Sequence, residues 1–259
     1  MSRLRLLPFG TFDPEYNMAL DAVLLERVGS AASPPTFRFY EWNRPTLSLG
    51  RGQAPQSLGL ARARREAAFA VVQRPTGGAV AVHGRDLSYS LAAPRPCDFL
   101  PRSPKACYRA VHEALAEALC SLGCEATCVE DVRGGGYREK IYCGLTLSAY
   151  DIVSGGRKVV GSAQRLSSRS LLQHGFILID EDFDWVIELL GQKGQAVARA
   201  CATLSELAGR SVDLATLRAR ILGALETGLG VVFESSPLEP EERRAVEQWL
   251  IERRNDARP

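Results

Sequence analysis

The order of the predicted elements indicates a mixed α/β (α+β) protein built in two parts. Within residues 1–182, short strand-like segments alternate with amphipathic helices. Within residues 183–259, apolar residues recur at helical spacing. Because helices and strands each bury an apolar face against another layer, we expect a main domain at 1–182 with a β-sheet core flanked by helices. We expect residues 183–259 to form a small helical C-terminal subdomain packed on it.

Length, charge and hydropathy argue against several classes of protein. A chain of 259 residues can form one large domain, or one domain with a small appendage. The formal net charge of +2 is too small to predict binding to nucleic acid or to an anionic membrane. No apolar run approaches the ~18 residues of a transmembrane helix, and the N-terminal segment lacks the features of a secretory signal. We therefore expect a cytoplasmic protein, and a monomer because no exposed apolar strip stands out.

The seven cysteines predict free thiols, because an odd count in a cytoplasmic chain argues against a disulfide framework. Cys120, Cys124 and Cys128 are spaced by four, which raises the question of a metal site. Gly123 interrupts the helical face that would join them, and no histidine follows closely. We predict no metal site there.

Capping residues and hydropathy patterns place the elements of the N-terminal part. Asp13 followed by Pro14 is typical of a helix start, and the apolar residues beyond them predict an amphipathic helix that ends near Gly29. The patterns that follow predict, in order, strands at 36–40 and 46–50, a charged helix at 61–68 and a strand at 69–72.

A glycine pair, Gly77 and Gly78, lies between strand-like segments and follows Arg74. Glycine lets the backbone approach a ligand closely and expose its N–H groups, and an arginine can hold a carboxylate or a phosphate. A simple hairpin turn accounts for the glycine pair equally well. His83 ends this segment, and a lone histidine is more often a hydrogen-bonded structural residue than a base. A strand is predicted next, at 87–91.

The middle of the chain contains a helix and a glycine-rich loop. Ser103 followed by Pro104 marks the start of a helix whose apolar stripe we assign to the core. Between Arg133 and Tyr137 the sequence is all glycine, and this loop leads towards Cys143. A mobile lid and a simple insertion both account for such a loop.

A predicted hairpin carries the strongest candidate chemistry. Two alternating runs, 147–153 and 157–164, are joined by a Ser-Gly-Gly turn, a composition typical of a β-hairpin. A hairpin can bring together Cys143 and Lys158, which are fifteen positions apart (158 − 143). A nearby ammonium group favours the thiolate, which is the nucleophilic form. We therefore predict an activated cysteine. The simpler interpretation is a buried thiol and an unrelated, solvated lysine.

The remaining elements carry no chemistry of their own. An apolar strand is predicted at 171–179, and its His174 is interpreted as structural, like His83. The tail is predicted to contain helices at 183–190, 198–207, 214–225 and 239–253.

Three motifs in a fixed order resemble the biotin/lipoate protein ligase family over nearly the whole chain. They are WNRPTLSLG at 42–50, RPTGG through the histidine at 74–83, and GRKVVGSAQ at 156–164. Within that family the chain is most similar to the cysteine-dependent octanoyltransferases of lipoate synthesis. In those enzymes a cysteine precedes the lysine of the Gly-x-Lys motif, as Cys143 precedes Lys158.

The chain departs from the family pattern at Gln73, Ala79 and Gly84, and it lacks the usual proline after Cys143. At these positions the family often has a second basic residue instead of Gln73, a further glycine or arginine instead of Ala79, and an aspartate instead of Gly84. These departures affect the adenylate-binding version of the site more than a mechanism that needs no nucleotide.

The resemblance implies a biotin/lipoate ligase-like catalytic domain with a mixed β-sheet and a specific reaction. An octanoyl group would arrive as a thioester on acyl carrier protein and form a thioester with Cys143. A lysine of a lipoyl domain of a 2-oxoacid dehydrogenase, or of glycine-cleavage H protein, would then accept it as an amide. Thioester exchange is close to isoenergetic, so neither ATP nor a cofactor is expected.

The resemblance also implies roles for individual residues. Cys143 would be the nucleophile, and Lys158 would stabilise its thiolate and the developing oxyanion. The substrate-binding candidates are Arg74, Gly77, Gly78, Val80, His83, Gly161, Ser162 and Ala163. The candidate walls of an apolar tunnel for the acyl chain, depending on how the strands face, are Val80, Val82, Val160 and Ala163.

Three alternatives stay open. An ATP-dependent lipoate–protein ligase would use Lys158 to hold an acyl-adenylate, and Cys143 would be incidental. An amidotransferase would move octanoyl between two lipoyl domains through the same cysteine. A catalytically silent paralogue would only bind acyl-carrier or lipoyl domains, which the presence of the Cys143–Lys158 pair argues against.

Overall fold

The structure is a computed structural model that describes residues 1–54, 69–130, 142 and 147–256. The elements described up to residue 130 are β1 (Ser2–Leu6), β2 (Gly10–Phe12), α1 (Pro14–Gly29), β3 (Thr36–Trp42), β4 (Thr46–Leu49), β5 (Ala70–Gln73), β6 (Ala81–His83), β7 (Asp86–Pro94), α2 (Pro104–Cys120) and β8 (Thr127–Cys128). Those described from residue 147 onward are β9 (Ile152–Ser154), β10 (Arg157–Leu166), β11 (Ser170–Leu178), α3 (Asp184–Leu190), α4 (Gln192–Ala200), α5 (Leu204–Ala208), α6 (Leu214–Leu229), β12 (Val231–Ser235) and α7 (Pro240–Asp256).

The main sheet is mixed, as the resemblance implied. Within the described residues its strand order is β12-β1-β3-β7-β11-β10-β9-β8, and β2 pairs with β3. Strand β1 runs parallel to both β12 and β3, whereas β7, β11 and β10 are antiparallel neighbours. A smaller sheet of order β5-β4-β6 lies beside it. The predicted strands at 36–40, 46–50, 69–72, 87–91 and 171–179 correspond to β3, β4, β5, β7 and β11.

Helices cover both faces of the main sheet. Adjacent residues of a strand point to opposite faces, so Leu91 of β7 packs in the cluster shared with α2 and α6, and Ala92 packs in the cluster shared with α1 and α7. A third apolar cluster joins β4 and β6 of the small sheet to Phe176 of β11. A cavity lies where the two sheets meet. No helix in the described part of the chain has the length and apolar character that a membrane span requires.

Both predicted helix starts are confirmed. The side chain of Asp13 accepts a hydrogen bond from the backbone N–H of Glu15 at the start of α1. The hydroxyl of Ser103 accepts one from Ala106 N–H at the start of α2. Each satisfies a backbone donor that the first turn of a helix leaves unpaired.

The predicted hairpin is also confirmed, with a shorter first strand. Strands β9 and β10 are antiparallel, and Arg157 lies opposite Ser154. Between them Gly155 and Gly156 have φ values of 55° and 76°, a left-handed conformation that favours glycine. The predicted helix at 61–68, the loop at 133–137 and Cys143 lie outside the described residues.

The tail differs from the prediction in two places. The helix predicted at 198–207 is interrupted, because residue Cys201 forms a parallel bridge with Lys158 and Ala202 N–H donates to the carbonyl of Lys158. The tail also contributes β12, which pairs with β1 over five residues, from Ser2 opposite Val231 onward. Residues beyond 182 therefore complete the main sheet. The domain boundary at 182 stays a prediction.

Candidate active site

A cavity lies between the small sheet and the main sheet. Its wall is formed by β4 and β6 on one side, and by β3, β10 and β11 on the other, and α1 contributes one residue. The lining residues are Met18, Tyr40, Trp42, Ser48, Arg74, Gly78, Ala79, Ala81, His83, Gly161, Ser162, Ala163, His174, Gly175 and Phe176. The wall combines large apolar side chains with hydroxyl and imidazole groups, and His83 stacks on Trp42 within it.

Most of the predicted substrate-binding residues meet in this cavity. The members of the predicted set that line it are Arg74, Gly78, His83, Gly161, Ser162 and Ala163. Gly77 lies just outside, in a surface groove. Val80 does not line the cavity, because its side chain is fully buried in the apolar cluster of the small sheet. The proposed tunnel walls Val82 and Val160 face apolar clusters as well, so Ala163 is the predicted wall residue that faces the cavity.

Tyr142 fixes the chain immediately before Cys143. Its backbone forms a parallel bridge with Val80, and its side chain is 3% exposed. The neighbours of Val80 in sequence, Ala79 and Ala81, both line the cavity. Cys143 itself lies outside the described residues, so its contact with Lys158 stays a prediction.

Lys158 is buried and ion-paired. Its Nζ lies 2.7 Å from Asp151 Oδ2, and each side chain is 1% exposed. Asp151 also accepts hydrogen bonds from Tyr108 Oη at 2.9 Å and from the backbone N–H of Ser148 at 2.8 Å. Burying two charges carries a large desolvation cost that is offset only by good pairing and further hydrogen bonds. The lysine is therefore held in one place as a cation.

The lysine stem lies just behind the cavity wall. A Cβ atom built at Gly161 would be 3.5 Å from Lys158 Cδ and 3.0 Å from Phe176 Cζ. A side chain at Gly161 would press on Phe176, whereas the distance to the lysine is that of an ordinary van der Waals contact. The glycine of the GRKVVGSAQ motif therefore leaves room for the Phe176 ring at the cavity wall, and the lysine stem lies close behind it.

Ser162 is held by a histidine on α2. His112 Nδ1 lies 2.6 Å from the carbonyl oxygen of Tyr150, and its Nε2 lies 2.7 Å from Ser162 Oγ. Burial lowers the pKa of His112 to about 4, so the ring is neutral at physiological pH. A carbonyl can only accept, so Nδ1 carries the hydrogen and Nε2 accepts from Ser162. Tyr89 Oη then donates to Ser162 Oγ at 2.6 Å.

His174 takes part in a second buried chain. Its Nδ1 lies 2.7 Å from Asp21 Oδ2, and its Nε2 lies 2.7 Å from Thr76 Oγ1. Burial acts to raise the pKa of Asp21, but Arg38 and the His174 hydrogen bond outweigh it and the pKa is lowered. Burial lowers the pKa of His174. The neutral ring therefore donates to the Asp21 carboxylate and accepts from Thr76, which ties α1 to the glycine turn.

His83 forms a third chain, on the small-sheet side. Its Nε2 lies 2.8 Å from Ser48 Oγ, and its Nδ1 lies 3.1 Å from Asp86 Oδ2. The ring stacks on Trp42 with centroids 4.2 Å apart. His83 is thus positioned from three sides, and its partner hydroxyl on Ser48 lines the cavity.

Arg74 lines the cavity and forms hydrogen bonds with the loop around the glycine turn. Its Nη2 donates to the carbonyls of Gly77 at 2.8 Å and Ala79 at 2.6 Å, and its Nη1 donates to the carbonyl of Ser48 at 2.6 Å. Its Nε donates to Thr76 Oγ1 at 3.2 Å. Because these donors are directed at protein acceptors, the guanidinium holds the glycine turn in shape, and its role toward a substrate stays a prediction.

Sequence reasoning missed the partners of the predicted residues. Asp151 was treated as an ordinary strand residue, although its position across the Gly-Gly turn from Lys158 was a usable signal. His112 lies within the apolar stripe of α2, and nothing in its local sequence indicates a bond to Ser162. Tyr40 lies in the strand predicted at 36–40 and Trp42 begins the WNRPTLSLG motif, but the sequence did not predict that they line a cavity.

Comparisons with known proteins show the family of this chain. The model of the lipoyl protein ligase A/B catalytic domain matches residues 13–226. The chain is 31% identical to octanoyltransferase LipM of Geobacillus kaustophilus, over 94% of this chain and 92% of that protein. It is 33% identical to octanoyltransferase LipM of Symbiobacterium thermophilum, over 96% of this chain and 94% of that protein.

Two solved structures share the fold. Lipoate-protein ligase A bound with ATP superposes with a TM-score of 0.74 at 20% identity, covering 96% of this chain and 94% of that one. The bipartite lipoate protein ligase of Thermoplasma acidophilum gives a TM-score of 0.73 at 17% identity, covering 96% and 92%. The match of the catalytic-domain model over most of the chain shows that this protein belongs to the lipoyl protein ligase A/B catalytic domain family.

Proposed function

We propose that this protein is an octanoyltransferase of protein lipoylation that works through a thioester on Cys143. The donor is octanoyl-acyl carrier protein. The acceptor is a lysine of a lipoyl domain or of glycine-cleavage H protein. The relatives named octanoyltransferase, at about a third identity over nearly the full length, support the octanoyl transfer. The buried Lys158–Asp151 pair beside the cavity is the structural observation that carries the mechanism.

The cavity suits an acyl chain. Met18, Trp42 and Phe176 supply apolar surface at its wall, and Ala163 leaves room on β10. Burying a methylene group stabilises a complex by about 0.8 kcal/mol. An eight-carbon chain therefore gains most of its binding from such a wall, and the polar groups are left to position the carbonyl.

Chain connectivity supports Cys143 as the nucleophile. Cys143 is bonded to Tyr142, whose backbone is bridged to Val80 between the lining residues Ala79 and Ala81. Tyr142, the residue before Cys143 in the sequence, is therefore paired with a segment that contributes two residues to the cavity wall. On the other side, the lysine stem approaches the wall at Gly161.

In the first step, the Cys143 thiolate attacks the octanoyl carbonyl. The resulting tetrahedral oxyanion collapses, the C–S bond to the phosphopantetheine arm breaks, and its thiolate leaves with the electron pair. The cationic Lys158 favours the Cys143 thiolate over the thiol and stabilises the oxyanion. Asp151 fixes the position of the ammonium group, so little reorganisation is needed as charge develops.

In the second step, the neutral ε-amine of the acceptor lysine attacks the acyl-enzyme. A new C–N bond forms, the C–S bond to Cys143 breaks, and the thiolate is regenerated. The nitrogen loses one proton to solvent to give the amide. Arg74 holds the Gly77–Gly78 turn in shape through the carbonyls of Gly77 and Ala79, and we assign the backbone N–H groups of this turn to the carbonyl oxygen of the acyl group.

The test is a transfer assay with purified octanoyl-carrier protein and a lipoyl domain, with no ATP present. We expect amide formation by the natural enzyme and a loss of at least ~10³-fold in Cys143→Ser. Transfer that needs ATP and free octanoate, and that survives Cys143→Ser, would assign the protein to the ligases. Transfer only from an octanoylated lipoyl domain would make it an amidotransferase. Absence of transfer from every donor would leave a binding protein.

A further inference from the structure

A surface groove continues from the cavity. Its lining residues are Leu25, Glu26, Gly29, Arg51, Gly52, Pro75, Gly77, Gln164, Arg165, Leu166, Ser167, Ser168, Arg169 and Ser170. Gly77 adjoins the cavity residue Gly78, and Gln164 adjoins the cavity residue Ala163. The same two segments that wall the cavity therefore extend outward and form this surface, which we call the arginine groove.

The arginine groove is positively charged. Arg51 and Arg169 are exposed, and Arg165 is partly exposed. In the part of the chain that the structure describes, none of the three forms an ion pair with a carboxylate. Glu26 is the one acidic residue among the lining residues. Such a concentration of one charge at the entrance of a cavity attracts an anionic partner and raises its rate of association.

The groove also offers an apolar contact. Leu166 lies between Arg165 and Ser167 at the end of β10 and is 38% exposed. Interfaces between proteins commonly combine an apolar anchor with a charged rim. A small free anion would gain nothing from the leucine, so the occupant is a protein surface.

The two protein substrates of the proposed reaction differ in the charge they bring to the cavity entrance. The donor brings a phosphodiester, because the thioester hangs from a phosphopantetheine arm attached to the carrier protein. The acceptor brings a lysine ammonium. Arginine is well suited to bind phosphate and carboxylate groups, whereas like charges repel. Charge complementarity therefore selects the donor.

We propose that the arginine groove is the docking surface of the acyl-carrying donor protein, and that it binds the phosphodiester that joins the phosphopantetheine arm to that protein. Arg51 and Arg169 supply the charge, and Leu166 supplies the apolar contact. The proposal rests on the proposed function, because it takes the donor to be a carrier protein with a phosphopantetheine arm.

The test uses the variant Arg51→Glu/Arg169→Glu. Neither guanidinium makes a hydrogen bond or an ion pair with the described residues, so the variant should fold normally. The matched control is Arg220→Glu, an exposed arginine on α6, which packs against α2 on the opposite face of the main sheet from α1. Binding of octanoyl-carrier protein is measured directly by titration at low and high salt. Acyl-enzyme formation is measured with octanoyl-carrier protein and with octanoyl-pantetheine, which lacks both the protein and the phosphate.

We expect the double variant to weaken carrier-protein binding about tenfold at low salt, and much less at high salt, because exposed charges are screened. The rate with octanoyl-pantetheine and the properties of Arg220→Glu should be unchanged. Unaltered carrier-protein affinity would overturn the proposal, and so would an equal loss with octanoyl-pantetheine or a loss confined to the acceptor domain. The binding measurement is independent of turnover. Failure of the proposed function would instead show as no acyl-enzyme from either donor in the natural protein.

Discussion

Lys158 and Asp151 form a buried ion pair, with 2.7 Å between Nζ and Oδ2, at the turn of the hairpin that carries the GRKVVGSAQ motif. Buried pairs often add little to stability, since desolvation offsets the Coulomb attraction. Their removal one partner at a time is costly, because an uncompensated charge is left behind. The pair can therefore be tested separately for its effects on stability and on catalysis.

Lys158→Met should destabilise the protein by ~3–5 kcal/mol, because Asp151 would be left as a buried, unpaired carboxylate. Urea unfolding measures this difference. The double variant Lys158→Met/Asp151→Asn should recover most of the lost stability and none of the activity. If the double variant regained acyl-enzyme formation, the lysine would be a structural residue.

Gly50 keeps the glycine turn in place. A Cβ atom built on Gly50 would lie 2.0 Å from the carbonyl oxygen of Gly78, a cavity residue. Gly50→Ala should therefore push the turn outward, cost about 1–3 kcal/mol of unfolding free energy and lower the rate of acyl-enzyme formation. Gly52→Ala is the matched control, because a Cβ atom there meets no atom within 4 Å. Equal behaviour of the two variants would contradict this view of the cavity wall.

Stability should fall on the acid side because of His112. Burial lowers the pKa of His112 to about 4 from 6.5. The contribution of His112 to the free energy of unfolding is fully present above pH 6.5. It is lost as the pH falls towards 4, because the histidine takes up its proton at a higher pH in the unfolded chain than in the folded protein. The pKa shift of His112 corresponds to a loss of about 3 kcal/mol of unfolding free energy between pH 6.5 and pH 4. His112→Gln should flatten the dependence of the unfolding free energy on pH between 4 and 6.5. Burial also lowers the pKa of His174, which therefore acts in the same direction.

Glu181 should have the opposite effect. Burial and the neighbouring Asp86 raise the pKa of Glu181 to about 7 from 4.5. The folded protein holds the proton of Glu181 more tightly than the unfolded chain does. The contribution of this carboxyl group to the free energy of unfolding is therefore present below pH 4.5 and is lost as the pH rises through 7. Glu181→Gln should remove this loss, and the unfolding free energy should then change less between pH 5 and 8. A parallel pH profile for both proteins would assign the loss to another group.

Local sequence signals predicted the elements of the fold well. Proline after a capping residue identified the starts of α1 and α2, and a Gly-Gly turn between alternating runs identified the β9–β10 hairpin. The pairing of β12 with β1 was missed because it joins the two ends of the chain, and no local pattern encodes a partner so far away. The break between α4 and α5 was missed for the same reason, since its cause is the contact with Lys158.

The site was predicted in part. Motifs identified most of the polar and glycine residues that line the cavity, because three short motifs in a fixed order are far more specific than a single glycine or histidine. They could not show the direction of each side chain. Val80 points into an apolar cluster, and Arg74 turns back onto the loop that follows it. Partners such as Asp151 and His112 depend on tertiary packing, which a single sequence does not reveal.

The most direct test of the central claim is the intact mass of the protein after incubation with octanoyl-carrier protein in the absence of ATP, followed by peptide mapping. We expect one octanoyl adduct, on Cys143, that is absent from Cys143→Ser and is lost when a lipoyl domain is added. An adduct on another residue such as Cys97, or no adduct under conditions where octanoyl transfer proceeds, would contradict the claim that Cys143 carries the acyl group.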